Sequence, residues 1–141
     1  MSNIDQDATL AFLEFATGMR SLEQAYYARF REVAGEPEEF ERAKSEFTSD
    51  KKALLSKWCS PRVVAKASFA AQVSDPPRFC PPDDQLTVLE SDEKHVLIEY
   101  QQVHGLKSKM RFQLVSESGQ RMIDKAELFD RVAEKWRPLI I

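Results

Sequence analysis

The hydrophobic spacing of this chain changes period once, and that change constrains the fold more than any other feature. Phe12, Phe15, Met19, Leu22, Tyr26, Phe30 and Val33 recur every three or four residues and share one helical face. Glu14, Arg20, Glu23, Arg29 and Arg31 fall between them on a solvated side. Past residue 85 the rhythm drops to two. Val96, Ile98 and Tyr100 alternate with Glu99 and Gln101, and Met110, Phe112 and Leu114 alternate with Arg111 and Gln113. Helices first and strands afterwards predict an α+β fold. The short connections between strands predict an antiparallel meander, because parallel strands need long crossovers. One sheet face should bury the long helices while the other stays open and concave.

Local signals divide the chain further. Gly35 closes the first helix, and Pro37 opens a second with Glu38 and Glu39 at its positive end and Phe40, Ala43 and Phe47 as its stripe. Ser49 or Asp50 is read as the cap of a third short helix carrying Leu54, Leu55 and Trp58, with Pro61 ending the helical region. Val63 to Val73 has room for a short strand. Pro76, Pro77, Pro81 and Pro82 make 74–84 a loop. Leu86 to Glu90 is expected as a strand, Gly105 and Glu117-Ser118-Gly119 as turns, and Arg121 to Ile123 as extended chain. Asp124 and Glu127 have capping-box spacing, and Leu128, Phe129, Val132, Ala133 and Trp136 follow at helical intervals. A helix is therefore expected over 124–135, then a short strand from Trp136 to Ile141 bounded by Pro138.

Composition narrows the function. The 141 residues suit one domain, 1–141, and a 43% hydrophobic content suffices for a core. A net charge of −3 argues against a general nucleic-acid binder. Cys59 and Cys80 have no metal-like spacing and read as reduced thiols. Met1 to Leu10 lacks a signal-peptide pattern, and no apolar run reaches the roughly 20 residues that span a bilayer. A cytoplasmic protein with no membrane partner is expected. No GxSxG, Walker A, GxGxxG or HExxH is present. No catalytic residue, metal or cofactor is expected. His95 sits beside a strand start, His104 in a turn, and Asp124 at a strand end, where it is either a helix cap or a pocket carboxylate.

Charge is patterned along the chain. Lys51, Lys52, Lys57, Arg62 and Lys66 occupy an acid-free stretch, 51–66. Asp75, Asp83, Asp84, Glu90, Asp92 and Glu93 crowd 75–93 against Arg78 alone. Such runs are usually solvated faces, and they can also steer a charged partner. The acidic segment suits a basic partner such as a nuclease. Trp58 and Trp136 close apolar stripes and are assigned to the core. Phe79, in the proline-rich loop, either anchors an interface or lids the core. The expected partner contacts are Phe79, Asp83 and Asp84 in the loop and Glu99, Gln101, Arg111 and Gln113 on the open sheet face.

The final third carries a resemblance. Arg111-Phe112-Gln113-Leu114 leads to the turn Ser118-Gly119-Gln120, then Arg121-Met122-Ile123-Asp124, and Trp136-Arg137-Pro138-Leu139 closes the run. This ending, with helices preceding it, resembles the NTF2-like fold and, more narrowly, the NTF2-fold immunity proteins of bacterial polymorphic toxin systems. The resemblance implies a cone of N-terminal helices wrapped by a curved antiparallel sheet. It also implies a cytoplasmic, non-catalytic protein that binds and blocks the toxin domain made by its own operon. It assigns no individual functional residue. Two other classes stay open. One is an NTF2-like small-molecule enzyme of isomerase or dehydratase type, with Asp124 and His95 as acid and base. The other is a scaffold forming a homodimer through the open sheet face.

Overall fold

The long first stripe becomes one helix, α1 (Asn3–Glu32), in a computed structural model that describes residues 3–117 and 119–141. Gly35 takes φ +85°, a left-handed conformation that glycine adopts without a Cβ clash, and the chain reverses into α2 (Pro37–Trp58). The two helices approach closely at Gly18, where a Cβ would meet the Leu54 Cδ1 at 2.7 Å.

α2 does not break at Ser49 or Asp50. The expected third helix at 54–58 is its continuation, because Ala43, Phe47, Lys51 and Leu55 form one buried stripe at four-residue spacing. Asp50 serves no cap; its Oδ2 accepts a hydrogen bond of 2.6 Å from the Tyr26 hydroxyl of α1. Pro61 likewise starts a helix instead of ending the helical region. It occupies the first turn of α3 (Pro61–Lys66), where its missing N–H costs nothing. No strand forms over 63–73, which holds the rest of α3 and then irregular chain.

Five strands follow: β1 (Gln85–Ser91), β2 (His95–Gln101), β3 (Lys109–Glu117), β4 (Gln120–Asp130) and β5 (Lys135–Pro138). They pair in chain order as an antiparallel, curved and unclosed sheet, so the molecule is α+β with its helices first. Ser118, in the expected turn between β3 and β4, lies outside the described residues.

The helix expected over 124–135 is absent. β4 runs to Asp130, and a turn leads directly into β5. Two features imitate helical spacing. The β3–β4 register shifts beside Asp124, so Ile123 and Ala126, three apart, both face the core. The turn is built by Asp130, whose Oδ1 accepts from the Val132 and Ala133 amides at 3.0 Å each. Those amide bonds, and Arg137 beside it, hold the Asp130 carboxyl below the usual range.

α1 lies across one face of the sheet. Phe12, Phe15, Phe79, Tyr100 and Phe112 fill the space between, all with no solvent exposure. Their ring centroids are 4.8 to 6.3 Å apart. A second cluster, Tyr26, Phe30, Ala43 and Phe47, joins α1 to α2. Glu23 and Lys51 are buried polar groups on these two helices. The Glu23 carboxylate accepts from the Arg78 amide at 2.7 Å, and Lys51 donates to the main-chain oxygen of Ile141 at 2.7 Å.

Candidate partner-binding face

Strand alternation gives the sheet a second face that α1 does not cover. Pairing sets Glu99 opposite Arg111 and Arg111 opposite Glu127, with Leu97, Gln113 and Lys125 in the next row. Phe129 stands opposite Trp136. The expected contacts Glu99, Gln101, Arg111 and Gln113 are thus brought onto one surface, all half-buried.

Arg111 is its centre. Its guanidinium lies 4.2 Å from the centroid of the Trp136 ring, and its Nε donates to Glu99 Oε1 at 3.4 Å. Trp136 contacts Phe129 at 5.2 Å, and the Lys109 ammonium sits 5.9 Å from the Phe129 ring. Trp136 is therefore not a core residue; it is half-buried on the open face. Trp58 is also only partly buried, packed on the edge of the main core. Sequence reasoning missed Trp136, Phe129, Lys109 and Glu127 as members of this face. For Glu127 and Phe129 the signal was the period of two through Lys125, Glu127 and Phe129, which helical spacing masked, and for Lys109 it was the alternation with Arg111 and Gln113. Gln101 is partly committed, since its Nε2 donates to the Lys107 carbonyl at 2.9 Å and holds the β2–β3 turn.

The three loop contacts divide differently. Phe79 has no exposure, so it lids the core and cannot anchor an interface. Asp84 clamps the loop to the sheet by accepting from the Tyr100 hydroxyl at 2.6 Å, the Cys80 amide at 2.8 Å and the Val103 amide at 2.9 Å. Burial, then the Asp84 carboxylate, pushes the Tyr100 phenol's pKa up. Asp83 is exposed and meets His104 Nε2 at 2.9 Å, on the loop rim instead of the sheet face.

The acid–base candidates do not converge. Asp124 lines a surface groove of about 370 Å³ with Arg62, Lys66 and Lys125. Its carboxylate already accepts from Arg62 Nη2 at 3.1 Å. His95 is half-exposed at the start of β2, 3.8 Å from Asp92. The basic stretch 51–66 is not one free surface either. Lys51 is buried, and burial, with Arg78 nearby, pulls its pKa down to about 8. Burial pushes the Cys59 thiol up to about 12, which makes it a poor nucleophile.

A family model described as NTF2 fold immunity protein matches residues 7–138, from α1 to the end of β5. The chain belongs to this family. Membership agrees with the helices-first order and the curved, open sheet, and it bears out the resemblance carried by the final third. No curated protein and no solved structure gave a significant match. Among the described residues of this immunity-family chain, no helix is long and apolar enough to cross a membrane.

Proposed function

We propose that this chain, as one domain over 1–141, binds a cognate antibacterial toxin domain and neutralises it by stoichiometric complex formation. It does so without catalysis, in the cytoplasm of the bacterium that makes the toxin, as part of a polymorphic toxin system. The match to the immunity family over 7–138 carries this reading. The interior is in keeping with it, because five fully buried rings fill the space between α1 and the sheet. The toxin meets the open sheet face around Glu99, Arg111 and Gln113. A complex of standard size would bury about 1,600 Å² in total.

The test is co-expression of this chain with the toxin domain encoded beside its gene. Growth should recover, and the two chains should elute as an equimolar complex. Persistent growth arrest at matched expression, with no complex, would overturn the proposal.

A further inference from the structure

The two hairpins at one end of the sheet, 102–108 and 131–134, form a joined corner. Arg131 Nη2 of the β4–β5 turn donates to the carbonyl of Leu106, at 3.4 Å, and to that of Lys107 in the β2–β3 turn. Each tip exposes an aliphatic side chain, Leu106 at 86% and Val132 at 97%. Each tip also holds a non-glycine residue in the left-handed region, Lys107 at φ 54° and Glu134 at φ 53°. The corner continues into the strip formed by Phe129, Trp136 and Arg111.

Its charge departs from that of the chain. Residues 104–109 and 129–137 carry five cations, Lys107, Lys109, Arg131, Lys135 and Arg137, against Asp130 and Glu134, in a chain of net charge −3; Asp83, paired with His104, and Asp75, in one groove with Leu106, border the first tip from the loop 74–84. Arg137 pairs with Asp130 at 2.5 Å. Among the described residues no carboxylate pairs with Lys107, Lys109, Arg131 or Lys135. The opposite end of the sheet carries Glu90, Asp92, Glu93 and Glu117 against Lys94 and Arg121. The sheet is therefore more basic at the corner than at its far end, and the two most exposed large aliphatic side chains among the described residues, Leu106 and Val132, lie at the corner.

From this arrangement we infer that the corner of Leu106, Val132, Lys107 and Lys135, with Trp136 beside it, docks a protein whose contact surface is rich in carboxylates. This rests on the proposed toxin-binding role and reverses the basic partner suggested by the acidic run 75–93. A stacked Arg–Trp pair rimmed by unmatched lysines has the composition of an interface centre. A phosphate backbone is a poorer occupant, because Glu99, Glu127, Asp130 and Glu134 are interleaved with the cations.

The experiment measures binding of the toxin domain encoded beside this chain, at low and high salt. Val132→Asp changes a position 97% exposed, so it carries no core penalty. It should weaken binding roughly tenfold by placing a carboxylate against carboxylates. Lys107→Glu with Lys135→Glu should slow association roughly thirtyfold at low salt, with the difference shrinking as salt rises. Trp136→Ala should weaken binding roughly thirtyfold through faster dissociation. Glu90→Lys with Glu93→Lys, at the far end, should leave affinity within about twofold. Tight binding by the unsubstituted chain that only the far-end reversal disturbs would overturn the corner and leave the toxin-binding role intact. No binding by the unsubstituted chain would overturn both. A dimer of the chain alone that Trp136→Ala dissolves would replace the acidic protein as occupant. So would binding to phosphatidylglycerol vesicles or duplex RNA that the Lys107/Lys135 reversal abolishes.

Discussion

Phe79 and Trp136 exchange the places that their sequence contexts suggest. Phe79 stands in a proline-rich loop with no periodic partner, yet it is fully buried against Phe12, Phe15, Tyr100 and Phe112. Trp136 ends an apolar stripe, yet it is only half-buried, with Arg111 on its ring. The two belong to opposite faces of one sheet. α1 covers the first face; on the second, Gln113, Lys125 and Glu127 share a groove with α3 and residues 138–141, and Arg111 and Trp136 stay partly exposed. An aromatic ring on the covered face stabilises the fold, whereas one on the bare face remains available to a partner.

The largest expected difference between the faces is in stability. Phe79→Ala should cost about 3–5 kcal/mol in urea unfolding, since it empties a ring-sized space in a packed core. A cost below about 1 kcal/mol would mean that the loop does not lid the core and would dissolve the contrast.

Buried and exposed charge should separate next, through pH. Lys51 has its pKa pulled from 10.5 to about 8 in the folded chain, first by burial and then by Arg78. Below pH 8 both states hold the proton and the native state bears the buried charge. Between pH 8 and 10.5 the unfolded chain binds more protons, so stability rises with pH. Relative to Lys51→Met, the native protein should gain about 2–3 kcal/mol across that window. The subtraction matters, because Cys59 and Tyr26, both pushed up to about 12, lower stability in the same alkaline range. Arg111→Met, on the bare face, should give a flat difference; a matching rise there would remove the distinction.

Adjacent carboxylates sharpen the comparison on a smaller scale. Asp84→Asn disturbs three hydrogen bonds and should cost about 2 kcal/mol by thermal or urea unfolding. Asp83→Asn loses one exposed contact with His104 and should cost under about 0.5 kcal/mol. Equal costs would show that Asp84 is no clamp. On the bare face, Trp136→Ala should change folding stability by no more than about 1 kcal/mol, the value of a partly exposed cation–ring contact. A core-sized loss would return Trp136 to the interior.

Much of this was legible before the fold. The stripe from Phe12 to Val33 specifies α1, because helical spacing puts seven apolar side chains on one side. The alternation at 96–100 and 110–114 specifies β2 and β3 and places Glu99, Gln101, Arg111 and Gln113 together, because successive strand residues point to opposite faces. The order of periods makes the chain α+β, and the ending at 111–139 carries the family resemblance.

Only tertiary structure decided the rest. The segment 124–136 has helical spacing, and it became strand and turn because β3 offers β4 a full ladder of backbone partners, with a bulge at Asp124 to absorb the extra residue. Asp50 reads as a cap until Tyr26 of another helix takes its carboxylate. Phe79 is a loop residue until the sheet and α1 close around it. In each case a local preference worth a fraction of a kcal/mol met a non-local contact or burial worth more. Period and turn chemistry act within a few residues and can be read from the chain, whereas which face is covered depends on elements far apart in it.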